Sequence, residues 1–231
     1  VNDGLVRLER SIVRCRLCPR LVAHREEVAR TKRRAYRDHE YWGRPVPGFG
    51  DAAAELFVLG LAPGAHGANR TGRVFTGDDS GNWLYRALHR AGFASQPTST
   101  HRDDGLVLRN AWISLVARCV PPDNKPTPGE ISRCAPFLRE ELALLPRVRA
   151  IVALGRIAFD SALRHLAERG AVAPRPRPAF RHGAVIELPG APALIASYHP
   201  SRQNTQTGRL TEAMLDRVFA LARAALAQER R

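Results

Sequence analysis

Four short apolar runs constrain this chain more than any other feature: Leu56–Leu61, Ala111–Val116, Ala150–Leu154 and Ala193–Ser197. A strand with one wet face alternates apolar and polar residues, whereas a strand covered on both faces is apolar throughout. Each run is of the second kind, and each is separated from the next by enough chain to hold a helix. The pattern predicts buried parallel strands joined by helical crossovers. With 231 residues, 44% of them hydrophobic, the chain is long enough for one sizeable core.

Helical periodicity marks residues 3–14, Leu21–Tyr36, Asn82–Ala91, Glu130–Leu145, Arg156–Arg169 and Thr211–Glu229, with Thr211 as an N-cap. GRPVPGFGD at 43–51 is turn-rich, and VAPRPRPAFRHG at 172–183 reads as loop. The unusual segments directly follow the strands: APGAHGANRTGRVFTGDDSG, ARCVPPDNKPTP, GRIAF and YHPSRQNTQTGRL. Open parallel sheets bind ligands at the carboxyl ends of their strands. These segments therefore predict one domain with one site on one sheet edge.

Cys15 and Cys18 form a CxxC, and Cys119 and Cys134 stand about a hundred residues further on. The leading VNDGLVRLERSIVRC reads as a charged helix rather than a signal peptide, and no run of about 18 apolar residues offers a membrane span. The expected setting is a reducing cytoplasm, where metal-bound thiolates outnumber disulfides. Four thiolates suit zinc or a [4Fe–4S] cluster, and spacing does not separate the two. The formal net charge of +14 favours a polyanionic partner, most often nucleic acid. Arginine supplies nearly all of it, since Lys32 and Lys125 are the only lysines.

Gly60-Leu-Ala-Pro-Gly64 is a tight turn whose backbone can approach a ligand at Gly60, Ala62 and Gly64. It lacks the Gly-Lys-Ser/Thr ending of a phosphate-binding P-loop. Phe75 can stack on a planar ligand or fill core. Asp78 can cap the helix that follows it or act on a ligand. His199 ends the fourth strand and can donate a hydrogen bond to a ligand oxygen. Arg70, Arg73, Ser201, Arg202, Gln203 and Asn204 form a basic and polar fringe suited to DNA contact. Two other functions fit parts of this pattern. A non-enzymatic DNA-binding module with a structural metal explains the charge and the cysteines but has no use for Phe75, Asp78 and His199 on one edge. A hydrolase of small nucleotides explains the glycine-rich turn but not the charge.

In order from Cys15 to Leu210, the CxxC, GLAPGAHGANRTGRVFTGDDSG, RCVPPDNKPTP with Cys134, and SYHPSRQNTQTGRL resemble the uracil-DNA glycosylase superfamily, and within it the iron–sulfur family 5. The resemblance implies a single three-layer α/β/α domain over residues 1–231, built on a short, mainly four-stranded parallel sheet. It implies a [4Fe–4S] cluster held by Cys15, Cys18, Cys119 and Cys134. The implied activity is that of a monomer in a prokaryotic cytosol, which flips a deaminated base out of DNA and hydrolyses its glycosidic bond to leave an abasic site. Phe75 is then expected to stack on the base, and Asn124 to read its polar edge. His199 would hydrogen-bond the base O2 as negative charge grows there. Relatives carry a polar or acidic residue in the turn after the first strand to position water. Leu61 and Ala62 stand there in this chain, so Asp78 becomes the expected water-positioning carboxylate, ahead of Asp79. Leu115 stands where family 4 members have asparagine for uracil recognition, which implies a broader pocket that also accepts hypoxanthine.

Overall fold

The computed structural model describes residues 2–172 and 176–228. Its centre is one six-stranded sheet of order β1-β3-β2-β4-β6-β5. The strands are β1 (Phe49–Gly50), β2 (Leu56–Gly60), β3 (Ala111–Leu115), β4 (Ala150–Leu154), β5 (Val185–Ile186) and β6 (Ala193–Ser197). The four inner strands are parallel and coincide with the four apolar runs. The two outer strands are antiparallel pairs of two residues each, which the sequence reading missed. Their residues are half-buried or exposed, so they carry no apolar run to betray them.

Eight α-helices surround the sheet among the described residues. They are α1 (Asp3–Arg14), α2 (Pro19–Thr31), α3 (Ala68–Thr71), α4 (Asp79–Arg90), α5 (Pro128–Ala143), α6 (Arg156–Glu168), α7 (Arg202–Gln206) and α8 (Glu212–Ala227). Alternate strand residues face opposite ways, and the two faces have separate cores. Val58, Ile113, Val152 and Ile195 pack with Leu84, Leu88, Leu215 and Phe219 of α4 and α8. Phe57, Trp112, Ile151 and Leu194 pack with Leu138 and Leu142 of α5 and Phe159 and Leu163 of α6. This is the expected α/β/α layering. All of these residues are under one-tenth exposed, as burial on both sides of a parallel sheet requires.

The helix expected over Leu21–Tyr36 is two elements. Pro19, with its fixed φ, starts α2 immediately after Cys18. Lys32 at φ 53° ends it, and a 3₁₀ turn follows at Arg34–Tyr36. The Lys32-Arg33-Arg34 run offers no apolar stripe to pack, so nothing extends the helix through it. The polar stretch at 202–206 forms the short helix α7. Thr211 caps α8 as expected, accepting a hydrogen bond from the Met214 amide. Glu229 and residues 173–175 of the proline-rich loop lie outside the described residues.

Candidate active site

The carboxyl ends of β2 and β6 bring the expected residues together. A Cβ on Gly60 would stand 2.7 Å from two ring carbons of Phe75 and 2.9 Å from Leu115 Cδ2. A glycine is therefore required for the phenyl ring to lie on the end of β2. Phe75 takes the left-handed conformation, φ 50°, which is uncommon for a bulky residue and points to a turn held from outside. Its ring lies 5.7 Å, centroid to centroid, from the His199 imidazole, with the planes 32° apart. Asn204 Nδ2 donates to the His199 carbonyl at 2.8 Å, so this amide, expected to touch DNA, is used to brace the histidine loop.

Asp78 is the N-cap of α4, and its Oδ1 accepts from the Gly81 amide at 2.9 Å. The other oxygen rests on the glycine-rich turn. A Cβ on Gly64 would lie 2.8 Å from Oδ2, and one on Gly67 would overlap the carboxylate outright. Capping and facing the turn are thus compatible roles of one side chain. Burial raises the Asp78 carboxyl above the usual range, and the Gly81 amide opposes that shift. Burial pushes His199 down to about 4, so at neutral pH it is a neutral imidazole able to donate one hydrogen bond.

Arg73 and Arg70, expected at the DNA fringe, are both buried, at 4% and 7% exposure. Arg73 forms an ion pair with Asp104 at 2.7 Å and donates to Ser99 Oγ at 2.8 Å and Thr76 Oγ1 at 3.0 Å. Thr76 and Ser99 hydroxyls bond each other at 2.7 Å, and Tyr85 donates to the Val74 carbonyl at 2.9 Å. This network fixes residues 73–77 and hence the unusual turn at Phe75. Arg70 donates to the His66 carbonyl at 2.7 Å and the Gly77 carbonyl at 2.8 Å, and lies over the Tyr36 ring at 4.1 Å. Both arginines therefore hold the turn together from inside. Sequence reading missed Ser99 and Asp104. Their partner lies about thirty positions away, and neither residue sits in a distinctive pattern.

The other expected residues are less enclosed. Ala62 and Ser201 are half-buried, and Arg202 and Gln203 are exposed. Arg202 Nε donates to Asp79 Oδ2 at 2.5 Å. Asn124 is exposed at φ 56°, in the 3₁₀ turn Pro122–Asn124 that follows β3.

Residues 47–223 match the family described as the uracil DNA glycosylase superfamily. The chain belongs to that superfamily. It is 55% identical over 213 residues to a type-5 uracil-DNA glycosylase of Thermus thermophilus, which spans 92% of this chain and 94% of that protein. A type-5 uracil-DNA glycosylase of Mycobacterium tuberculosis is 53% identical over 210 residues, 90% of this chain and 77% of that protein. A type-4 uracil-DNA glycosylase of Pyrobaculum aerophilum is 32% identical over 132 residues, 57% of this chain and 59% of that protein. Phe75, Asp78 and His199 all lie inside the superfamily match. Among the described residues, no helix is long and apolar enough to cross a membrane.

Two of the four cysteines of this glycosylase-superfamily chain precede the matched region, and all four line one small apolar cavity. Cys15 ends α1, Cys18 caps α2, Cys119 follows β3 and Cys134 lies in α5. All four are free thiols. Among the described residues, no three His, Cys, Asp or Glu side chains stand as a ready-made metal-holding group. The donor set itself suits an iron–sulfur cluster, which takes four cysteine sulfurs and hydrogen bonds to them. Arg25 Nη1 donates to Cys119 Sγ at 3.0 Å, and the Arg118 amide donates to Cys134 Sγ at 3.3 Å. Burial raises the Cys134 thiol to about 11, so a thiolate there needs a cation beside it. Arg20 clamps the corner through a two-point contact with Glu130, at 2.8 and 2.7 Å, tying α2 to the start of α5. That contact holds the Glu130 carboxyl down at about 2.

Proposed function

We infer that the chain is a DNA glycosylase that excises uracil in base excision repair. The observation that carries the reading is that the end of β2 and the turn after it seat Phe75 beside His199 at Gly60, and Asp78 against Gly64 and Gly67, in a chain whose relatives are uracil-DNA glycosylases over most of their length. We propose that it acts as a monomer on double-stranded DNA. The flipped base stacks on Phe75 at the floor set by Gly60. The C1′–N bond breaks with its electron pair moving onto the base, and positive charge builds on the sugar. Neutral His199 donates a hydrogen bond to the base O2, where part of the new negative charge resides. One such donor is worth about 3–4 kcal/mol in favourable sites. Asp78 as a carboxylate stabilises the sugar cation and orients a water, whose oxygen bonds to C1′ and whose proton passes to the carboxylate.

Leu115 supports a broad pocket. Like the ring of Phe75 it closes on the end of β2 at Gly60, and it presents no amide to demand the uracil edge, so hypoxanthine is a further proposed substrate. Asn124, exposed on its turn, would have to move inward to read a base edge. Cys15, Cys18, Cys119 and Cys134 would hold the [4Fe–4S] cluster, which supplies a rigid cross-link between the N-terminal helices and the sheet.

The test is base release from duplexes carrying one uracil, one hypoxanthine or normal bases only. The expected result is release from the first two, with His199→Ala and Asp78→Ala each slower by about 10²-fold or more. Intact DNA binding with no release from any duplex would favour the non-enzymatic module.

A further inference from the structure

Helices α4 and α7 begin beside the candidate active site, α4 directly after its cap Asp78 and α7 three residues after His199. Between them and the Pro97–Thr98 segment runs an open groove of about 480 Å³. From α4 it takes Asp79, Asn82, Trp83 and Arg86, at positions i, i+3, i+4 and i+7 of one helical stripe. From α7 it takes Arg202, Thr205 and Gln206. Trp83 is half-buried, so its ring is fixed from behind by the core and partly bare in front. The Arg86 guanidinium lies 5.7 Å from its ring centroid. The ion pairs of Arg86 and Arg202 are solvent-accessible, with Glu212 at 3.2 Å and Asp79 at 2.5 Å, and Arg86 Nε also donates to the Asn82 carbonyl at 3.2 Å. Such pairs are worth little and exchange readily for a phosphate.

An aromatic platform flanked by two arginines is the chemistry that holds the bared face of a base and its phosphate. We propose that this groove binds the nucleotide next to the flipped one in the damaged strand, with its base on Trp83 and its phosphate at Arg202. Flipping one nucleotide breaks its stacking with the neighbour, and Trp83 replaces the lost surface. The inference rests on the glycosylase reading and adds a second nucleotide site to it.

The test compares uracil duplexes with a normal neighbour against duplexes in which either neighbour is a baseless tetrahydrofuran residue. Stacking on one side chain predicts that Trp83→Leu raises KM about tenfold on the normal duplex. The expected kcat stays within a factor of about two, and Trp83→Phe restores KM. On the duplex lacking the relevant neighbour base, wild type shows the same tenfold rise and Trp83→Leu adds nothing. As a measurement on wild type alone, 2-aminopurine placed at the neighbour should be quenched on binding beyond its quenching in free duplex. A Trp83→Leu defect of equal size on both duplexes, or unquenched 2-aminopurine, overturns the proposal. No uracil release by wild type from any duplex overturns the glycosylase reading instead.

Discussion

Gly67→Ala moves the Asp78 carboxylate, proposed above to orient water, without removing it. The added Cβ would lie 2.6 Å from Asp78 Cγ and 3.0 Å from Asp78 Cβ, where carbons rest at about 3.5–4.0 Å. Gly67 is anchored by hydrogen bonds from the Arg70 and Thr71 amides to its carbonyl, at 3.0 and 2.9 Å. The turn is therefore held, and Asp78 must retreat by about 1 Å. A displacement of that size at a reacting centre costs about 10²-fold in rate. The same retreat weakens the Asp78–Gly81 cap, worth about 1 kcal/mol, which lowers Tm by about 2–4 °C in a chain of this size. Single-turnover uracil release should thus fall about a hundredfold while thermal unfolding changes little. Gly129→Ala is the control, because its Cβ meets nothing nearer than Arg133 at 3.5 Å. Release by Gly67→Ala within threefold of wild type would refute the placement of Asp78 as a reacting group.

Arg73→Met leaves Asp104 charged and without its partner in the interior, so it should destabilise by about 3–5 kcal/mol; urea unfolding measures this, and adding Asp104→Leu should recover part of the loss. His199 titrates at about 4 in the folded chain and at 6.5 ordinarily, so between these values the unfolded chain binds more protons. Stability should fall as pH drops from about 6.5 toward 4, by up to about 3 kcal/mol, and His199→Gln should flatten that slope in a pH series of unfolding curves. On the proposed [4Fe–4S] cluster, purified wild type should carry iron and sulfide by chemical assay, and Cys134→Ser should lose both.

The inner strands were legible to within one residue because each is fully covered, and full cover leaves an uninterrupted apolar run. That Phe75 and His199 lie side by side was legible because the segments carrying them follow such runs at one end of the sheet. Arg70 and Arg73 read as DNA contacts because a guanidinium looks solvent-bound in a sequence whether or not an acceptor awaits it inside. For Arg70 the acceptors are the His66 and Gly77 carbonyls, and for Arg73 they come from the folded 95–106 segment, which brings Ser99 and Asp104 to it. The Thr127–Glu130 capping box that starts α5 was a readable signal left unused, and it places the helix two residues earlier than periodicity alone.

The cysteine corner also sets an order of events during synthesis. Cys18 leaves the ribosome 116 residues before Cys134, an interval on the order of ten seconds at ordinary rates of elongation. The contacts that seat α2, Arg25 on Cys119 and Arg20 on Glu130, span 94 and 110 residues. Neither can form until β3 and α5 have been made, so the N-terminal thiol pair waits undocked while the sheet assembles behind it. Until then Cys15 and Cys18 are open to oxidation, and closing the corner is the late step that ends that exposure.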